Sequence, residues 1–350
     1  MSEILTETER RSNKSPLSGV SFDGSAPLLE VEDLEVEFHT RDGIAHAVNN
    51  VSFTLREGET LGILGESGCG KSVTAQAIMG ILDTPPAKVT GGQVRYRGVD
   101  LLQLEEKTRR HIRANKIAII FQDALSSLNP VFTVGWQLGE LYRKHAGASR
   151  AQAKSKAVEL LDLVGIPGAP ARINSFPHQF SGGMRQRVMI AMALALEPDI
   201  IIADEPTTAL DVTVQAQVMT LLSDLQREMR LGLILITHDM GVVADVADKI
   251  CVMYAGHAVE RADVYEIYER PAHPYTKALL ESIPRVDQKG QDLTVIKGLP
   301  PALVDPPPGC SFHPRCAFAR DRCTTDEPPL YEVPGNRLSA CHYWEEVLES

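Results

Sequence analysis

No stretch of this 350-residue chain approaches the ~20 uninterrupted apolar residues that a spanning helix needs. The longest candidate, "IAMALALEPDIIIA", is broken by Glu197, Pro198 and Asp199, so the chain is not expected to cross a membrane by itself. Its first residues, "MSEILTETERRSNKSPLSGVSFDGSAP", lack the apolar core of roughly seven or more residues that a secretory leader carries. Their polar, Ser-rich character predicts a disordered lead-in over residues 1–27. No Lys/Arg-rich run accompanies the net charge of −11, which argues against nucleic acid as the main partner. Cysteine is scarce as well: only Cys69 and Cys251 lie in the first 300 residues, and the other four fall within the last 41. Without a leader the thiols are expected to stay reduced, so clustered cysteines point to metal or redox chemistry rather than disulfides.

What is present is ordinary globular material, 43% hydrophobic and 23% charged, long enough for a well-buried core and more than one folded unit. "LLEVEDLEVEF" from Leu28 alternates apolar and acidic residues, as a half-buried strand does, and "AVNNVSFTL" repeats the pattern after a turn at residues 41–43. "KIAIIFQD", "DIIIADEP" and "GLILITHD" read as short apolar strands separated by helical segments, the pattern of a parallel sheet covered on both faces. "RAQAKSKAVELLDLVGI" places Ala157, Leu160, Leu161 and Val164 on one helix face. Beyond about residue 265, "ERPAHPYTKALLESIPR" and the Pro-rich "GLPPALVDPPPG" mark a connector and a second unit.

"GESGCGKS" (65–72) fits G-x-x-x-x-G-K-S between a strand and a helix. Its glycines allow backbone N–H groups to curl around phosphate oxygens, and the following helix adds its dipole. Gly65, Glu66, Ser67, Gly68, Cys69, Gly70, Lys71, Ser72 and Val73 form this candidate phosphate site. Lys71 would reach the β- and γ-phosphates and Ser72 would ligate Mg²⁺. The strand "DIIIADEP" ends in Asp204, for the Mg²⁺ shell, and Glu205, a candidate general base. "FSGGMRQR" brings Ser181, Gly182 and Gly183 to a helix start, "TTALD" carries Asp211, "ITHD" puts His238 at a strand end, and Gln122 ends "IAIIFQ".

In this order and spacing the chain resembles the ATP-binding subunit of an ABC transporter over residues 28–265. The resemblance implies an α/β P-loop ABC-type ATPase domain with a helical subdomain at about 123–190, which would dock onto the permease. It implies ATP and Mg²⁺ as ligands, Mg²⁺ being held by Ser72, Gln122 and Asp204, with Glu205, His238 and Gln122 in the catalytic set. Ser181, Gly182 and Gly183 would act in trans on the nucleotide of a second ATPase, and Asp211 would lie in the crossing loop. Phe180 and Met184 replace the usual signature flanks but retain the Ser-Gly-Gly. For the aromatic that stacks on adenine, "FHTRDGIAHAV" offers Phe38 or His46.

Residues 266–350 resemble the C-terminal extension of the oligopeptide/dipeptide subgroup, which includes nickel importers, and the chain looks most like its D-type ATPase. The implied partners are two transmembrane permease subunits, a sister F-type ATPase and an extracytoplasmic solute-binding protein, with the chain peripheral at the cytoplasmic face of the membrane. Peptide, nickel and other small-solute import stay open as alternatives. A soluble ABC ATPase acting on ribosomes or repair complexes is the rival, opposed by a single cassette with no long heptad run. A non-hydrolysing interaction subunit is opposed by intact Lys71, Asp204, Glu205 and His238.

Cys310, Cys316, Cys323 and Cys341 are spaced C-x₅-C-x₆-C-x₁₇-C, which matches neither the paired zinc templates nor the ferredoxin runs. Four thiolates suit Zn²⁺ or an iron–sulfur cluster. The D-type resemblance implies a [4Fe-4S] cluster, with His313 and His342 near enough to support it or substitute as ligands. A small Cys-rich C-terminal domain stapled by that group is the expectation, structural or regulatory rather than catalytic.

Overall fold

In the computed structural model, Leu17 and residues 20–123, 127–208, 210–283 and 296–350 are described; the expected lead-in over residues 1–27 lies mostly outside them. The alternating acidic stretch forms β1 (Leu29–Thr40), which buries Leu29, Val31, Leu34 and Val36. Its two-residue period slips between Val31 and Leu34, where Asp33 takes a positive φ of 48° and bulges the strand. β1 pairs antiparallel with β2 (Gly43–Leu55).

The next strands in the chain are β3 (Thr60–Leu64), β4 (Ala87–Tyr96), β5 (Val99–Asp100) and β6 (Ile117–Ile120). There follow β7 (Ile200–Asp204), β8 (Gly232–Thr237), β9 (Lys249–Tyr254) and β10 (His257–Asp263). β11 (Tyr331–Val333) and β12 (Arg337–Ser339) come last. A four-stranded sheet has the order β2-β1-β4-β5, and an eight-stranded sheet the order β11-β12-β10-β9-β3-β8-β7-β6. Within the large sheet, β9, β3, β8, β7 and β6 run parallel. Every residue of β3, β7 and β8 is buried, as expected of strands covered on both faces.

One core fills the space between the two sheets, around Phe53, Ile63, Ile202 and Ile236. The other lies on the opposite face and joins the large sheet to the helical region. That region contains helices Val134–His145, Arg150–Leu163 and Gly182–Leu194. Ala157, Leu160, Leu161 and Val164 are all buried there, in agreement with the periodicity.

The expected second unit after residue 265 is not set apart. β12 pairs with β10, Glu260 opposite Ser339 and Arg261 opposite Leu338, so the end of the chain adds strands to the large sheet. Phe312 packs edge-on to Tyr254, their ring centroids 5.2 Å apart, and belongs to the same core as the helical region. The sequence shows a Pro-rich change of composition there, but edge pairing is a long-range event that composition does not register. Among the described residues no helix is long and apolar enough to cross a membrane.

Candidate functional site

The glycine loop turns between β3 and the helix Lys71–Met79. Gly65 and Gly70 have φ of 153° and 106°, and a Cβ on either would come within 2.2 Å of the Met253 carbonyl or 2.3 Å of the Ala47 carbonyl. Only glycine fits such close backbone packing. Lys71 is 5% exposed, and its ammonium donates to the carbonyls of Gly65 at 2.8 Å and Glu66 at 2.9 Å. The cation is thereby held at the mouth of the loop.

From β7, Asp204 accepts a hydrogen bond from Ser72 Oγ at 2.9 Å. Burial pushes the Asp204 carboxyl above the ordinary carboxylate range, with Glu205 adding to the shift and Ser72 opposing it. Hydroxyl and carboxylate side by side form a hard-oxygen pair suited to Mg²⁺. Glu205 has a positive φ of 46°, a conformation that costs an ordinary residue roughly 1–3 kcal/mol and persists where the surroundings impose it. Its Oε2 accepts from Gln122 Nε2 at 2.7 Å and Thr208 Oγ1 at 2.9 Å, and His238 Nδ1 stands 3.3 Å from Oε1. Gln122 does not end the strand as expected. β6 stops at Ile120, and the exposed Gln122 reaches Glu205 from the loop beyond.

A single open pocket is lined by Glu66, Ser67, Gly68, Gly70, Lys71, Ser72, Val73, Gln122, Glu205 and His238, together with Ala47 and Leu303. The structure thus brings the glycine loop and three separate strand ends to one place. Neither Phe38 nor His46 lines it. Phe38 packs on the inter-sheet core, and the His46 ring turns toward Glu37, 3.5 Å away. The apolar wall comes instead from Ala47, Val73 and Leu303, and the His46 N–H donates to the Leu303 carbonyl at 3.1 Å. Nothing in the Pro-rich "GLPPALVD" marks Leu303 as a pocket residue.

Ser181, Gly182, Gly183 and Asp211 do not line this pocket. Ser181 caps the helix Gly182–Leu194, accepting from Met184 N–H at 3.3 Å. Asp211 caps the helix Val212–Met229 in the same way, at 3.0 Å from Val214 N–H. The two caps are neighbours, since a Cβ on Gly183 would meet Val214 at 2.4 Å.

Cys310, Cys316, Cys323 and Cys341 line one small enclosed pocket with Phe312, Phe318 and Tyr343. Burial raises the Cys310 thiol and pushes Cys316 to about 11 and Cys341 to about 12, with the neighbouring sulfurs adding to each. Among the described residues no group of three or more His, Cys, Asp or Glu side chains converges as on a single metal ion. His342 is engaged at both ring nitrogens, with Nε2 donating to the Asp326 carbonyl and Nδ1 accepting from Tyr331 OH, each at 3.0 Å. It does not serve as a substitute ligand in this arrangement. His313 Nδ1 donates to the Cys310 carbonyl at 2.9 Å and so supports a cysteine's backbone.

The ABC transporter family matches residues 48–208, and the oligopeptide/dipeptide transporter C-terminal region matches residues 259–323. The chain is 51% identical to the oligopeptide transport ATP-binding protein OppD of Salmonella typhimurium, over 90% of this chain and 93% of that one. It is 54% identical to the dipeptide transport ATP-binding protein DppD of Bacillus subtilis, over 83% and 86% of the two chains. A dimeric ATP-binding cassette solved in a post-hydrolysis state with ADP and Pi aligns with TM-score 0.60 and 28% identity, covering 67% of this chain and 98% of that one.

Proposed function

This chain belongs to the ATP-binding proteins of oligopeptide and dipeptide ABC transporters, and from that premise we propose how its residues divide the work. It is an ABC ATPase that powers peptide import. The observation that carries the residue assignment is the convergence of Lys71, Ser72, Gln122, Glu205 and His238 on one pocket, with Asp204 joined to Ser72.

ATP enters with its phosphates against the backbone N–H groups of residues 65–72, where Lys71 balances their charge. Ser72, Gln122 and Asp204 would hold Mg²⁺, which would supply positive charge to offset that of the phosphates. Glu205 orients water and takes its proton as the water oxygen bonds to the γ-phosphorus and ADP leaves. Gln122 and Thr208 aim that carboxylate, and His238 faces the γ-phosphate. Leu303 and Ala47 give the base an apolar wall in place of a stacked ring. Ser181, Gly182, Gly183 and Asp211, outside the chain's own pocket, serve the nucleotide of a second ATPase, a sister F-type subunit.

The region at about 123–190 docks onto the permease. Phe132 and Trp136, with stacked rings 4.0 Å apart, and Val131, 70% exposed, support that assignment, since large exposed apolar groups mark contact surfaces. Two permease subunits and a solute-binding protein complete the assembly, which holds this chain at the cytoplasmic face of the membrane. Isolation of the chain from membranes with its permeases tests this reading, and recovery with ribosomes instead would overturn it.

The four cysteines hold a [4Fe-4S] cluster that staples the C-terminal extension. Four cysteines that line one small pocket support a shared thiolate site there. When bound, such a group ties four thiolates together and so restrains residues 310–341.

A further inference from the structure

Arg315 precedes Cys316 in the chain, far from the glycine loop in sequence, yet its guanidinium ends on that loop. Nη1 donates to Glu66 Oε2 at 2.6 Å and Nη2 to Glu66 Oε1 at 3.0 Å, a two-point grip on the carboxylate. The Arg315 side chain is 4% exposed and that of Glu66 27%. The guanidinium's other donors are used as well: Nε reaches the Lys297 carbonyl at 3.1 Å, and Nη1 the Tyr254 hydroxyl at 3.3 Å. From the other side, the Glu66 N–H donates to Tyr275 OH at 2.9 Å. Both tyrosines pack against Phe312, three residues before Arg315.

Glu66 lines the pocket that receives the phosphates, so its carboxylate is a like charge placed beside the substrate's negative groups. In a partly buried site that repulsion is poorly screened. A fixed guanidinium at 2.6 Å cancels it and fixes the loop backbone on which the phosphates rest.

We propose that Arg315 is a positioning residue of the nucleotide site. By pairing with Glu66 it neutralises the loop carboxylate, and through it the C-terminal extension sets the affinity of the chain for ATP. The inference rests on the reading of this pocket as the ATP site. It makes the extension a part of that site in cis, although no residue of the extension belongs to the phosphate motif.

The test measures Mg·ATP affinity on the full chain, purified without oxygen, at low and high salt, with melting temperature followed in parallel. In Arg315→Ala the Glu66 charge is left unpaired, and ATP binding should weaken roughly tenfold at low salt, with a smaller penalty at high salt. Glu66→Gln should move affinity the opposite way, because Arg315 is then an unopposed cation near the phosphates. The double variant should return to within about threefold of wild type. Arg315→Lys, a point charge without the fork, should fall between wild type and Arg315→Ala. A contact that merely holds the fold together would lower melting temperature in both single variants and weaken ATP binding in both. That pattern overturns the proposal, as does wild-type affinity in a folded Arg315→Ala chain. A wild-type chain that binds no ATP overturns the reading of the pocket itself, and this inference with it.

Discussion

Gln122 and Glu205 meet across 2.7 Å, the amide nitrogen donating to the carboxylate, from the segments that follow the neighbouring strands β6 and β7. The bond joins two residues that line the same pocket, one of them the proposed base. Substitution Glu205→Gln keeps an acceptor for Gln122 but removes the base. ATP should still bind, while hydrolysis should fall by about 10²- to 10⁴-fold. Steady-state phosphate release and nucleotide affinity together check this; near-normal turnover would remove Glu205 as the base.

Leu303 reaches the pocket from the C-terminal extension and bonds through its carbonyl to the β2 strand at His46. Full burial of a leucine side chain contributes about 1.5–3 kcal/mol, and this one is partly exposed. Leu303→Ala should therefore weaken ATP and ADP alike by roughly three- to tenfold and leave turnover at saturating ATP little changed. Unaltered affinity for both nucleotides would show that the base lies elsewhere.

Iron and acid-labile sulfide in equal amounts are expected from chain purified without oxygen, with visible absorption that Cys341→Ala removes. Cys341 lies two residues past β12, which pairs with β10 and with the edge strand β11, so its loss should also lower the melting temperature by loosening this end of the sheet. Stoichiometric zinc without iron would overturn the cluster.

Glu260 and His273 give a pH signature. Glu260 is wholly buried on β10 and accepts backbone N–H groups from Ala272 at 2.6 Å and His273 at 3.1 Å. Burial pushes its carboxyl up to about 7, against an unfolded value of 4.5, with those hydrogen bonds and Arg337 opposing. Burial pushes His273 down to about 3 from 6.5. Between pH 4.5 and 7 the folded chain keeps a proton on Glu260 that the unfolded chain has released, so this group's stability is lost as pH rises through that window. Folded His273 is neutral where the unfolded histidine is charged, so its share is lost as pH falls from 6.5 toward 3. The two slopes oppose each other from 4.5 to 6.5. Denaturation of Glu260→Gln should therefore show stability rising with pH relative to wild type across that interval; parallel curves would refute the linkage.

Much of the site was legible because phosphate binding constrains adjacent residues. Gly65, Gly70, Lys71 and Ser72 must follow one another for the loop to close, and Asp204 and Glu205 must end an apolar strand. Local chemistry of that kind leaves a pattern in the chain. Phe38 and His46 were the candidates that "FHTRDGIAHAV" offered for the base, yet neither lines the pocket, Phe38 packing on the inter-sheet core and His46 turning toward Glu37. The tail cysteines were visible as a group, whereas their spacing named no metal.

The sequence by itself determined the P-loop fold, the parallel sheet and most of the residues that line the candidate phosphate pocket. Only the tertiary structure decided that the extension joins the large sheet through β10 and β12, and that Leu303 and Arg315 stand at the nucleotide pocket. The reason is physical. A loop or a helix face is specified by neighbours a few residues apart, while a contact such as Arg315 to Glu66, 249 residues apart, depends on how whole layers pack.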